Sequence, residues 1–181
     1  MPMNLPNKLT IFRVILIPSF VVTLLVPTIP YNNIIACVIF CVASLTDFLD
    51  GYIARRDGLV TNFGKFMDPL ADKLLVGAAL ICLVETGQLP AWVVVIIISR
   101  EFIISGFRLI ASDNGVVIAA SYWGKFKTVT QMMMVIVLIL NIPNQIFAVI
   151  GTILMWVAVV LTVVSLVDYV VKNKDVLKDT K

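Results

Sequence analysis

Four aspartates, Asp47, Asp50, Asp68 and Asp72, form one spaced array on two helix-length apolar segments joined by a short polar turn. Ionised side chains at membrane depth are costly and mark function by default. Four like charges at one level repel each other unless cations lie among them. Hard divalent metals, which take oxygen ligands, are the simplest such cations. The array therefore reads as a site for one or two divalent ions at a membrane surface. Spacing alone leaves three uses open: an enzyme site, an ion or proton path, or structural pairing with Arg or Lys.

Helical geometry brings the carboxylates together. Asp47 and Asp50 are i, i+3 neighbours, and Gly51 and Ala54 continue their stripe. Gly64, Asp68 and Asp72 follow at i, i+4, i+8 on the second segment. With the turn near residues 56–62, Asp50 and Asp68 fall at similar depth, and Asp47 and Asp72 lie one turn deeper. The two stripes can converge roughly 10 Å inward from the turn. The small residues leave backbone open to a flat ligand. Pro69, early in the second segment, frees a carbonyl one turn back.

The elements that position these groups follow from composition. The chain has 181 residues, 60% hydrophobic and 14% charged, against roughly 25% charged in soluble domains. An ordinary soluble domain is excluded, and a single all-α membrane domain over residues 1–181 is expected. Histidine is absent, which removes imidazole acid–base chemistry and the commonest zinc ligand. Cys37, Cys41 and Cys82 fall within apolar segments and read as small core residues. The start, MPMNLPNKLT, lacks a cleavage pattern after its apolar run, so the first segment is expected to stay as an anchor.

Six transmembrane helices can be drawn, at about 8–27, 32–55, 63–86, 90–112, 122–141 and 145–171, each near the ~20 residues a bilayer core requires. Pro27, Pro30, Gly58, Gly87, Pro90, Gly115 and Pro143 mark the breaks. Connections 27–32, 86–90 and 141–145 carry no Lys or Arg. Arg55, Arg56 and Lys65 flank the second connection, and Arg108, Lys125 and Lys127 the fourth. Basic residues also cluster at both ends of the chain. This asymmetry predicts cytoplasmic termini and places both charged connections in the cytoplasm.

The full pattern reads Asp47-x2-Asp50-Gly51-x2-Ala54-Arg55, then eight residues, Gly64, three residues, Asp68, three residues, Asp72. It resembles the signature of the CDP-alcohol phosphotransferase family, and all eight positions match. Looser matches, at Asn4 to Thr10 with Arg13, at Ser99-Arg100-Glu101 with Arg108, and at Gly124-Lys125 with Lys127-Thr128, resemble the bacterial branch whose acceptor is sn-glycerol 3-phosphate.

The resemblance implies that a CDP-linked lipid, CDP-diacylglycerol, gives its phosphatidyl group to a small alcohol and that CMP leaves. It implies two divalent ions, Mg2+ or Mn2+, among Asp47, Asp50, Asp68 and Asp72, with Asp72 also the catalytic base. Gly51, Ala54, Arg55 and Gly64 match positions associated with the CDP moiety. Thr10 and Arg13 are further nucleotide candidates, or else they cap and orient the first helix. A homodimer in the bacterial cytoplasmic membrane, in contact with membrane lipids and with its active site facing the cytoplasm, is implied as well. No nucleic-acid partner is expected. Inositol phosphate, serine or phosphatidylglycerol as acceptor, and a divalent-cation transporter, are the competing readings.

A phosphorylated acceptor needs fixed positive charge. Arg108, Lys125, Lys127 and the deeper Arg100 are the candidates: Arg for planar bidentate contacts, Lys as a point charge. Arg100 with Glu101 can instead be a buried structural pair, and the two lysines can be positive-inside anchors.

Overall fold

The computed structural model describes residues 5–56, 62–113, 118 and 121–174, with the side chains of 5–7, 47–55, 62–66, 68 and 113 outside that description. Among the described residues the chain forms six α-helices and no strand. They are α1 Leu5–Leu25, α2 Asn32–Arg56, α3 Asn62–Glu85, α4 Ala91–Asp113, α5 Tyr122–Leu140 and α6 Gln145–Asn173. The expected segments match these within three residues. Helix α1 starts earlier than expected because Pro6 has no N–H to lose in a first turn, where none is needed.

Contacts divide the chain into two compact units, residues 1–88 and 89–181. In the first, α1 and α2 form an antiparallel hairpin, and α3 packs on both. Pro27 and Pro30 keep α1 from running on. Tyr31 takes a left-handed conformation, φ 56°, and Asn32 Nδ2 donates to the carbonyl of Leu24 at 3.4 Å. Phe20 and Phe40 meet at 5.8 Å between ring centroids. Ile17, Phe20 and Leu24 of α1, Ala36, Phe40 and Ala43 of α2, and Ala71, Leu75 and Ala79 of α3 are all buried. These are helical stripes at intervals of three and four residues. Helix α3 ends in a Schellman motif: Gly87, φ 72°, lets Gln88 N reach Leu83 O and Gly87 N reach Val84 O.

In the second unit α6 packs on α4 and α5. Contacts Trp92–Trp156, Arg100–Ser165 and Phe107–Tyr169 advance together along both chains, so α4 and α6 run parallel. Helix α5 begins at the N-cap Ser121, whose side chain accepts from Gly124 N, and ends at left-handed Asn141. Asn144 caps α6 by accepting from Ile146 N at 2.8 Å. A Cβ at Gly151 would come within 3.0 Å of Leu138, so the glycine sets how closely α5 and α6 approach.

The outward faces are as apolar as the core. Ile15, Val38, Leu74, Val95, Leu109, Val160 and Val167 are all exposed, as expected where lipid rather than water is the solvent. Helices α1, α5 and α6 are long and apolar enough to cross a bilayer; the comparable stretch of α2 is shorter, Asn32–Thr46. Ionisable groups on α2, α3 and α4 lower their apolarity. Cys37 and Cys82 are buried as expected, whereas Cys41 lies on the exposed face of α2.

Candidate functional site

Helix α2 carries Asp47, Asp50, Gly51, Ala54 and Arg55 in unbroken helical register, and α3 carries Gly64, Asp68 and Asp72. The two helices pack on each other, so both stripes belong to one hairpin. Pro69 lies inside α3, one residue after Asp68, without ending the helix. The side chains of Asp47, Asp50 and Asp68, and the expected CDP positions Gly51, Ala54, Arg55 and Gly64, lie outside the described residues. Asp72 is half-buried. An all-carboxylate donor set on one hairpin fits hard divalent ions.

Helix α1 adds a cation near this hairpin. Arg13 is 0% exposed, and its Nε donates to the carbonyl of Ala43 at 3.2 Å. Ala43 is one turn before Asp47 on α2. A buried guanidinium must be hydrogen-bonded to be tolerated, and this bond fixes positive charge one turn from the array. Thr10, one turn before Arg13 on α1, is also buried. Sequence reasoning left Arg13 between nucleotide contact and orientation of α1; the bond to α2 shows that it does at least the latter.

The second unit holds a charged cluster of its own residues. Glu101 Oε1 accepts from Arg100 Nη1 at 3.2 Å and from Lys127 Nζ. Arg100 Nε donates to Ser165 Oγ at 3.1 Å, and Ser165 Oγ donates in turn to Thr162 O. Arg100 and Lys127 are buried, while Glu101 keeps 30% of its side chain exposed. A Cβ at Gly124 would stand 3.1 Å from Arg100 Nη2, so a glycine there lets the guanidinium lie along α5. The trio carries one net positive charge and is positioned by three helices.

The four expected acceptor cations therefore separate. Arg100 and Lys127 converge on Glu101. Lys125, two residues from Lys127 and so on another face of α5, is exposed with its ammonium 5.5 Å from the centre of the Tyr122 ring. Arg108 is exposed near the end of α4, two turns beyond Glu101 on nearly the same face. Sequence reasoning missed Ser165 and Tyr169. Their signal is visible in hindsight: Thr162, Ser165 and Tyr169 recur at intervals of three and four residues in an otherwise apolar α6, and all three are buried.

Comparison with known proteins places these features in context. The profile of the family described as CDP-alcohol phosphatidyltransferase matches residues 3–164. A CDP-diacylglycerol–glycerol-3-phosphate 3-phosphatidyltransferase of Bacillus subtilis is 47% identical, over 97% of this chain and 97% of that protein. One of the same name from Haemophilus influenzae is 42% identical, over 99% and 98%. A probable phosphatidylglycerophosphate synthase of Mycobacterium tuberculosis is 39% identical, over 93% of this chain and 81% of that protein.

Proposed function

The chain belongs to the CDP-alcohol phosphatidyltransferase family, and on that footing we propose that it transfers the phosphatidyl group of CDP-diacylglycerol to sn-glycerol 3-phosphate, releasing CMP. The observation that carries this reading is near-full-length likeness to relatives named for that reaction. The profile match runs through both compact units, which supports treating residues 1–181 as one catalytic domain.

In this reading Asp47, Asp50, Asp68 and Asp72 hold two divalent ions, Mg2+ or Mn2+. When bound, such ions neutralise the donor diphosphate and the charge of the leaving phosphate. Asp72 takes the proton from the acceptor hydroxyl. That oxygen then bonds to the phosphatidyl phosphorus while the bond from phosphorus to the CMP oxygen breaks, and CMP departs. Gly51, Ala54 and Gly64 let the donor approach the backbone, and Arg55 and Thr10 supply polar contacts to the CDP moiety. Arg13 holds α1 against α2 beside the array.

Of the four expected cations, Arg108, Lys127 and Arg100 supply the positive charge for the acceptor phosphate, and Lys125, on another face of α5, is a positive-inside anchor. The arrangement around Glu101 supports Arg100 and Lys127 as the preset part of that set, since their geometry is fixed before substrate arrives. All six helices serve as spans in the cytoplasmic membrane, with both termini and the acidic hairpin's connection on the cytoplasmic side. The lipid donor keeps its acyl chains in the bilayer, and the water-soluble acceptor arrives from the cytosol. The protein works among membrane lipids as a homodimer.

Purified protein supplied with CDP-diacylglycerol and Mg2+ is expected to release CMP when glycerol 3-phosphate is added and to stop when EDTA removes the metal. Release only with serine, inositol phosphate or phosphatidylglycerol would overturn the acceptor assignment. Cation flux into liposomes without CMP release would overturn the enzyme reading altogether. Arg108→Ala is expected to raise KM for glycerol 3-phosphate on the order of tenfold with kcat little changed, as for a lost charged contact to bound substrate. An unchanged KM removes Arg108 from the acceptor set.

A further inference from the structure

Tyr169 is 2% exposed, and among the described residues its hydroxyl has no hydrogen-bond partner. Buried phenols ordinarily find one, because an unmade bond leaves the desolvation of the hydroxyl uncompensated. Phenylalanine would serve the same packing without that cost. The ring stands edge-on to Phe107, with centroids 6.1 Å apart and planes at 83°, and this contact needs no oxygen.

The surroundings of the hydroxyl suggest what it is for. One turn earlier on α6, Ser165 Oγ accepts the Nε–H of Arg100. Side chains on a helix lean toward its N-terminus, so Tyr169 leans over the turn that carries Ser165, toward the Arg100 guanidinium. A second buried oxygen without a partner among the described residues, Gln131 Oε1, lies on α5. It is one turn beyond Lys127, whose ammonium meets Glu101. Besides Asp168 Oδ2, the carboxylate oxygen next to Tyr169 in sequence, two uncompensated polar atoms from different helices thus belong to residues one turn beyond Ser165 and Lys127, the positions that meet Arg100 and Glu101. One is a hydroxyl that can donate, the other a carbonyl that can only accept. A phosphorylated polyol offers the complement of both: phosphate oxygens to accept and hydroxyls to donate.

We propose that Tyr169 is an acceptor-binding residue, its hydroxyl donating a hydrogen bond to the phosphorylated alcohol held at the Arg100 cluster. The inference rests on the acceptor reading given above. Its test is Tyr169→Phe in the full-length protein, assayed with glycerol 3-phosphate and CDP-diacylglycerol varied in turn, alongside thermal unfolding without substrate. KM for glycerol 3-phosphate rises on the order of tenfold, KM for CDP-diacylglycerol stays unchanged, and the unfolding midpoint holds or increases, because an uncompensated hydroxyl has been removed. A KM for glycerol 3-phosphate within twofold of wild type overturns the proposal, whether or not the midpoint falls. So does a rise confined to the KM of CDP-diacylglycerol, which would place the hydroxyl at the donor. If wild-type protein does not use glycerol 3-phosphate at all, the acceptor reading fails and this proposal falls with it. If it does and Tyr169→Phe leaves KM unchanged, the proposal alone fails.

Discussion

Asp72→Asn is expected to lower kcat by on the order of 10^3-fold or more while CDP-diacylglycerol still binds. General-base catalysis accounts for roughly 10^2–10^4-fold by itself, and Asn keeps the shape of the side chain without its basicity. Asp72 is also proposed as a metal ligand, so the loss belongs at or above the middle of that range. The half-buried position on α3 means that the substitution exchanges one polar group for another of equal size, and the helix should persist. The measurement is CMP release at saturating substrates, with donor affinity followed separately by calorimetry. Turnover within tenfold of wild type would take the base role away from Asp72.

Glu101→Gln is the second large effect, and it acts on stability. Glu101 Oε1 is shared by Arg100 and Lys127, whose side chains are 9% and 1% exposed. Replacing the carboxylate leaves two buried cations facing a neutral amide. Breaking a buried ion pair costs about 3–5 kcal/mol, and the partial exposure of Glu101 argues for the lower end, about 3 kcal/mol. For a chain of this size that corresponds to a fall of roughly 6–12 °C in the unfolding midpoint. Glu85→Gln is the contrast: Glu85 is exposed at the end of α3, and its replacement should stay within about 0.5 kcal/mol. Equal midpoints for the two variants would show that the trio around Glu101 does not hold the helices together.

The helices were legible because their ends are written in local chemistry. Pro27 and Pro30 stop α1, Gly87 closes α3, and Asn141 and Asn144 punctuate the passage from α5 to α6. The acidic stripes were legible for the same reason, since i, i+3 and i, i+4 spacing is local. What escaped was contact between distant positions. Lys127 reaches Glu101 across 26 residues, Arg13 reaches Ala43 across 30, and Arg100 reaches Ser165 across 65. No periodicity encodes such pairings, because each depends on which faces of separate helices meet. Lys125 and Lys127 show the limit well. Sequence treats them as one basic patch, yet a helix turns the second onto a different face.

That divergence gives the two amines different chemical fates. A water-borne acylating reagent should modify Lys125, whose ammonium lies in the open beside Tyr122, and leave Lys127 intact, sealed at 1% exposure. Mass spectrometry of the labelled peptide would then count one adduct rather than two. Any condition that frees Lys127 from Glu101, such as loosening of α5, would reveal itself as the second.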